Sequence, residues 1–472
     1  MAMTNSSRRD FFSRVVDGVH GAALMSLLGS DMYAAGPQTF DLRAKPPQFP
    51  AKAKSVIHLF MNGGPSQVDL FDPKPTLKRL AGTAPSRELS FAISNGKDAG
   101  TLYPSPYEFK PRGKSGIEIS DALPHLAECV DDIALIRSMY GEHANHEPAL
   151  FLMHTGRTIA SRPAIGAWAA YGLGTENQNL PAYVVLDDPK GLPINGISNW
   201  QSAWLPPIYQ GTRFRTEGAP VLNLEPRPEV PAPLVEAERS LLRKLDEMHR
   251  TQRQYQPELD ARISSYELAA RMQMAASDAL DVNKETEATR EAYGLNDTAT
   301  ASYGKRCLMA RRLVERGVRF VQLYIETQIF DTHSNLQTDL NYACGKTDKP
   351  VAALLKDLKQ RGLLDSTLVV WGGEFGRLPI SQGAVKSAGR DHGPGGFSVW
   401  MAGGGTKGGT VHGATDDIGF KAVENRVSVH DFHATILHLL GLNNRELFID
   451  RNGLKERLTD QYPARVVSEI IA

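Results

Sequence analysis

Residues Thr367–Arg377 read TLVVWGGEFGR. The run LVVW has no polar alternation, which describes a strand buried on both faces, as in a parallel sheet covered by helices. Gly372 and Gly373 end the run, and the polar loop EFGR follows. Upstream, VAALLKDLKQRG (Val351–Gly362) has helical spacing and closes with a basic turn and glycine, the usual stop signal. The same grammar extends outward. Strand-like runs occur at Ser55–Met61, Ile133–Met139, Ala182–Asp188, Arg319–Ile325 and Phe397–Gly403. Helical patterns precede two of them, at Ala122–Val130 and Arg306–Gly317. Strands alternating with helices predict an α/β domain with a mostly parallel central sheet. Residues 231–293 break the rhythm with apolar residues at three- and four-residue spacing among many charges, which predicts an inserted pair of amphipathic helices. The Pro-rich stretch Trp204–Pro233 reads as a long loop leading into them.

The chain has 472 residues, 41% of them hydrophobic and 22% charged, which suits one large soluble α/β domain. A formal net charge of +0 argues against a general attraction to nucleic acid or to an anionic membrane surface. At the N-terminus, SRRDFF (Ser7–Phe12) precedes an apolar stretch and the small residues MYAAGP (Met32–Pro37). This reads as a twin-arginine export signal over residues 1–35, with the mature domain at 36–472 and a periplasmic or other extracytoplasmic destination. Asp17 and His20 interrupt the apolar run, which is shorter than the ~20 residues a membrane span requires, so no transmembrane segment is expected. Cys129, Cys307 and Cys344 have no metal-type spacing.

Ligands of open α/β sheets bind beyond the carboxyl ends of the strands. The loops at those ends are Asn62–Asp69, Gly141–Ala149, Glu326–Ser334 and Gly372–Arg377, together with Gly389–Gly396, which immediately precedes the last strand. They carry Asn62, Ser66, His143, His146, Asp331, His333, Glu374, Asp391 and His392. Imidazole mixed with carboxylate suits one or two ions of Zn, Mn or Fe better than the all-oxygen sites of Ca. Each position also has a structural reading. Asp331 and His333 could cap a turn, Glu374 could pair with Arg377, and His392 could be a turn residue. His58, inside an apolar strand, reads as a core histidine. HEPALFLMHTGR (His146–Arg157) begins like the zinc-protease pattern H-E-x-x-H, but Leu150 stands at the second histidine, which excludes that chemistry. The chain has no G-x-S-x-G elbow and no G-x-x-x-x-G-K-[ST] phosphate loop, and GGGTKGGT (Gly403–Thr410) reads as a glycine-rich connector.

Taken together, the twin-arginine start, FMNGGPSQVDLFDPKP, HTGR, DTHSN, VWGGEFGR and GRDHGPGGFSVWMAGGG resemble the exported bacterial family called domain of unknown function 1501. That family in turn resembles a remote branch of the alkaline phosphatase and sulfatase superfamily. The resemblance implies an alkaline phosphatase-like three-layer sandwich. The sulfatase signature C/S-x-P-x-R followed by L-T-G-R is similar to HEPALFLMHTGR, with Pro148, Thr155, Gly156 and Arg157 retained. His146 then stands where the nucleophile would be and Leu150 where sulfatases have arginine. The resemblance further implies metal ligands at Asp331, His333, Glu374 and His392, with Asn62 at a position that usually carries a metal-binding carboxylate.

The resulting expectation is an exported metal-dependent hydrolase of phosphate or sulfate esters, acting on a small anionic ester or a sulfated glycan. His146 would serve as ligand or base, with Ser66 as a second candidate nucleophile and Asn62 and Arg377 as substrate contacts. For Arg157 a salt bridge is expected. The alternative is a non-catalytic exported binding or scaffold protein that keeps the fold, for which the missing nucleophile, Leu150 and Phe375 all argue.

Overall fold

The computed structural model describes residues 40–92, 100–217, 231–252, 257–383 and 387–472. The expected export signal lies outside the described residues. Among the described residues nine strands form one sheet, eight of them along a single path. In chain order they are β1 (Ser55–Phe60), β2 (Ile133–Tyr140), β3 (Tyr183–Leu186), β4 (Thr212–Phe214), β5 (Phe320–Tyr324), β6 (Thr367–Gly372), β7 (Phe397–Ala402), β8 (Thr410–His412) and β9 (Val427–Ser428). The path runs β8-β2-β7-β6-β1-β5-β3-β4, with β9 added to β2. Every pairing is parallel except those of β7 with β2 and with β6. All residues of β1, β3, β5, β6 and β7 are buried, so both faces of the sheet are covered and the strands read as continuous apolar runs.

Seven helices matter below: α1 (His146–Thr155), α2 (Ile165–Leu173), α3 (Ala232–Gln252), α4 (Pro257–Leu280), α5 (Ala301–Glu315), α6 (Leu336–Gln360) and α7 (Val429–Leu439). Helix α7 opens with a reciprocal capping box, in which Ser428 accepts from the Asp431 amide and the Asp431 carboxylate accepts from the Ser428 amide. Helix α1 ends at Gly156, which takes the left-handed conformation (φ 74°) that glycine adopts without steric cost.

Three local expectations change. The helix expected at Ala122–Val130 is a 3₁₀ helix over Leu126–Asp132, because Asp348 takes the free amides of His125 and Leu126 (2.7 and 2.8 Å) and the tighter winding delivers the chain straight into β2. The helix expected at Val351 begins fifteen residues earlier, at Leu336, and runs through Pro350. Its polar first half and the internal proline hid that extension. The stretch expected as loop before residue 231 contains β4, a short edge strand parallel to β3.

The antiparallel β7 positions the functional loops. The N-terminal end of an antiparallel strand lies at the edge where its parallel neighbours have their C-terminal ends. The loop Gly389–Gly396 therefore meets the loops that follow β1, β5 and β6. Backbones pack directly there. A Cβ on Gly389 would lie 2.1 Å from the His333 carbonyl carbon, and one on Gly63 would lie 2.5 Å from the Asp331 nitrogen. Only glycine permits either approach.

Candidate metal centre

Four side chains from three loops converge at this rim. Asp331 and His333 follow β5, His392 precedes β7, and His146 is the first residue of α1, presented by the turn after β2. One ligand atom from each of these four lies within 4.8 Å of every other. The Asp331 carboxylate is their focus. His333 Nε2 is 3.0 Å and His392 Nε2 3.2 Å from its Oδ1, and His146 Nε2 is 3.3 Å from its Oδ2. A tetrahedral ion with ligand bonds of ~2.0–2.1 Å sets its ligand atoms roughly 3.3 Å apart, so these separations have the right scale.

The groups behind the ligands fix which nitrogen faces inward. His333 Nδ1 is 2.6 Å from Gln382 Oε1, and His146 Nδ1 is 2.7 Å from Glu374 Oε1. An Nδ1–H donates in each case, which leaves the Nε2 lone pair directed at the centre. His333 Nε2 and His392 Nε2 then lie 3.0 Å apart. With the His333 Nε2 lone pair directed inward, that contact is favourable when His392 Nε2 carries a proton or when a cation sits between the two nitrogens. The donor set, three imidazoles and one carboxylate, suits Zn, Mn or Fe.

Electrostatics reflect the same crowding. Burial opposes charge on His146, but hydrogen bonds to Asp331 and Glu374 outweigh it and raise its pKa to about 9. The hydrogen bond to Asp331 also raises His333. Burial dominates at His392 and lowers it. Burial would raise Asp331, yet the three imidazoles and the Arg377 guanidinium hold it far below the usual carboxylate range.

The remaining expected site residues are placed differently. Glu374 is not among the four converging residues. Its side chain is fully buried, bonding His146 and the Gly63 amide (2.9 Å), so it orients a ligand from behind. Arg377 is also fully buried, and each guanidinium nitrogen bonds protein acceptors: the carbonyls of Gly63, Gly64 and Arg390, and Asp331 at 2.6 Å. It braces the centre and offers no face to a substrate. The Ser66 hydroxyl donates to Asp69 Oδ2 (2.5 Å), and the Asn62 amide donates to the Ile325 carbonyl (2.5 Å). Leu150 is a core residue, His143 accepts from the Asn145 amide within its own turn, and Arg157 pairs with Asp460.

Sequence reading missed Gln382 and the buried pair Asp69–Arg390. A glutamine in a turn carries no metal signal, and ion pairs between distant segments leave no spacing pattern. Outer partners of metal-bound imidazoles typically contribute 10–100-fold in affinity. Gln382→Leu is therefore expected to weaken metal binding by about 10–100-fold, measured by competition with a chelator of known affinity. An unchanged affinity would remove Gln382 from the centre.

Comparison with known proteins gives three results. Residues 53–471 match the family described as protein of unknown function (DUF1501). No curated protein matches the chain. Among solved structures, the chain is similar to an alkaline phosphatase from the Antarctic bacterium TAB5, at 12% identity over 84% of this chain and 99% of that one, with a TM-score of 0.36. It is also similar to a phosphonate monoester hydrolase from Silicibacter pomeroyi, at 11% identity over 88% and 76% of the two chains, with a TM-score of 0.35. A sulfatase from Pseudoalteromonas sp. gives 11% identity over 89% and 70%, with a TM-score of 0.34.

Proposed function

The chain belongs to the family of unknown function DUF1501, and from that premise we propose that it is an exported, metal-dependent hydrolase of phosphate or sulfate esters, on a remote branch of the alkaline phosphatase and sulfatase superfamily. The observation that carries the metal is the convergence of His146, Asp331, His333 and His392 within 4.8 Å. One ion held by these four would supply Lewis acidity to an ester oxygen and, if its coordination expands beyond the four side chains, would activate water. One ion fits the four converging ligand atoms, and Asn62 Oδ1 and Glu374 Oε2, buried without a hydrogen-bond partner among the described residues, offer oxygen donors for a second. The ester class rests on the resemblance of HEPALFLMHTGR to the sulfatase nucleophile segment. With His146 at the nucleophile's place and its Nδ1 held by Glu374, the imidazole acts as a ligand and no covalent ester intermediate is assigned to it. His333, whose side chain is 37% exposed, marks the side from which a small anionic ester or a sulfated glycan reaches the centre. The twin-arginine stretch supports export, and among the described residues no helix is long and apolar enough to cross a membrane.

The competing reading, a non-catalytic binding or scaffold protein, draws support from Phe375. Its ring packs 4.9 Å from His146 and 4.6 Å from His392, beside the ligands. Elemental analysis of protein purified without chelators or a histidine tag tests both. About one or two equivalents of Zn, Mn or Fe are expected, lost in Asp331→Ala, with turnover in a screen of aryl phosphates and sulfates. Bound metal without turnover selects the scaffold, and a folded protein that takes up no metal on titration ends the hydrolase reading.

A further inference from the structure

Helix α6 carries the chain from the rim at the end of β5 back to the start of β6. Its 25 residues span roughly 37 Å, whereas the 6 residues of β6 span roughly 20 Å. The first half of α6 therefore stands clear of the sheet at the rim, beginning three residues after His333. One face of that half is polar and open to solvent. Asn335, Thr338 and Tyr342 follow one another at three- and four-residue spacing and are exposed, with Asp339 half-covered beside them. Asn335 heads the helix in the left-handed conformation (φ 46°), and its side chain makes no capping hydrogen bond. Tyr342, 49% exposed, ends the row. Lys346 Nζ lies 4.6 Å from the centroid of its ring, and Lys190 Nζ, from the loop after β3, is 3.2 Å from its hydroxyl. Both ammoniums share the Glu326 carboxylate, at 2.5 and 2.8 Å, so the cluster keeps a net positive charge. Of the two, Lys190 reaches into solvent, with 59% of its side chain exposed.

We propose that this face of α6 binds an anionic oligosaccharide, with a sugar ring stacked on Tyr342 and the sulfate or carboxylate of that sugar on Lys190. An aromatic ring with a polar tip suits a sugar, which presents C–H groups on its face and hydroxyls around its edge. Lys346 backs the Tyr342 ring and leaves the rest of it to a ligand. Asn335, Thr338 and Asp339 supply the donors and acceptors that sugar hydroxyls need. The row from Asn335 to Tyr342 is roughly 10 Å long, more than one sugar ring fills, so the ligand is a chain of sugars. A bare phosphate or sulfate ion is the poorer ligand, because Glu326 already neutralises one of the two ammoniums and a bare ion leaves the ring uncovered. This inference rests on the hydrolase reading only for its direction, with the reacting ester at the His333 end. Binding along the face requires no turnover.

Isothermal titration calorimetry of the full mature chain with a chondroitin 4-sulfate tetrasaccharide tests it. Tyr342→Ala and Lys190→Ala are each expected to weaken binding about tenfold, while Tyr342→Phe, which keeps the ring, retains it. Lys359→Ala, an exposed lysine at the other end of α6, is expected to leave binding unchanged. These side chains are exposed, and circular dichroism checks that each variant is folded. The desulfated tetrasaccharide assigns the anion, since its binding is lost if Lys190 holds sulfate and kept if Lys190 holds carboxylate. Wild type that binds no tetrasaccharide overturns the proposal, as does neutral chitotetraose binding equally well. Affinity that survives Tyr342→Ala, or falls equally in Lys359→Ala, overturns it too. Turnover of aryl esters without oligosaccharide binding sinks the track and spares the hydrolase reading, and Tyr342-dependent binding without turnover does the reverse.

Discussion

Asp69→Ala lowers the stability of the fold by about 3–5 kcal/mol, the range expected when one partner of a buried ion pair is removed. Asp69 and Arg390 both have side chains that are 0% exposed. Two hydrogen bonds join them in parallel, Nε to Oδ2 at 2.7 Å and Nη2 to Oδ1 at 3.0 Å. The Ser66 hydroxyl donates to the same carboxylate, and Arg390 also donates to the Tyr103 carbonyl at 2.9 Å. Removing the carboxylate leaves a guanidinium with neither water nor counter-charge around it. The damage falls on the candidate centre, because Arg390 stands two residues before His392 and its amide bonds the Thr332 carbonyl between Asp331 and His333. Urea denaturation of the metal-free protein measures the loss. Adding Arg390→Met to Asp69→Ala is expected to recover much of it, since the uncompensated charge is then gone. A single-variant loss below about 1 kcal/mol would mean that solvent reaches the pair, contrary to its burial.

This pair illustrates what the sequence could and could not convey. Strands such as Ser55–Phe60 and Thr367–Gly372 were legible because a strand buried on both faces is predominantly apolar and lacks polar alternation. The loops bearing Asp331, His333 and His392 followed from the rule that ligands gather at strand ends, and their convergence depends on β7 running antiparallel. Side-chain direction was not legible. Glu374 was expected among the ligands and stands behind His146, while Ser66 was expected to face a substrate and is turned to Asp69. In both cases the decisive partner is remote in sequence or hidden in an ordinary turn. Periodicity reports which face of an element is buried and not which polar atom a loop side chain meets. Helical spacing was legible only over Val351–Gly362, yet α6 begins at Leu336 and passes through Pro350.

Acidification is expected to destabilise the protein through histidines far from the metal centre. His58 lies within β1 against Phe60 and Phe320, and among the described residues neither ring nitrogen has a hydrogen-bond partner. Burial pulls its pKa from 6.5 down to about 4. Burial also lowers His433 to about 3, against the hydrogen bond to the Met153 carbonyl, and lowers His154, whose ring centroid is 6.1 Å from that of His58. In the unfolded chain these rings take up a proton near pH 6.5, whereas in the fold they resist it for several units. The unfolded state therefore binds more protons across that window. The stability is fully present above pH 6.5 and is lost as pH falls towards 4 for His58 and towards 3 for His433. At ~1.4 kcal/mol per unit, His58 alone accounts for about 3 kcal/mol. His146 works in the opposite sense and in another window: raised to about 9, it favours the metal-free fold below pH 6.5, and that contribution is lost as pH rises through 9. His58→Leu separates the effects. It removes two unsatisfied buried nitrogens, so it is expected to raise stability at pH 7.5 by about 1–3 kcal/mol. It is also expected to flatten the decline between pH 6.5 and 4. Urea midpoints of both proteins at pH 7.5 and 4.5 decide the matter, because parallel declines would mean that the His58 ring is already hydrated in the native state.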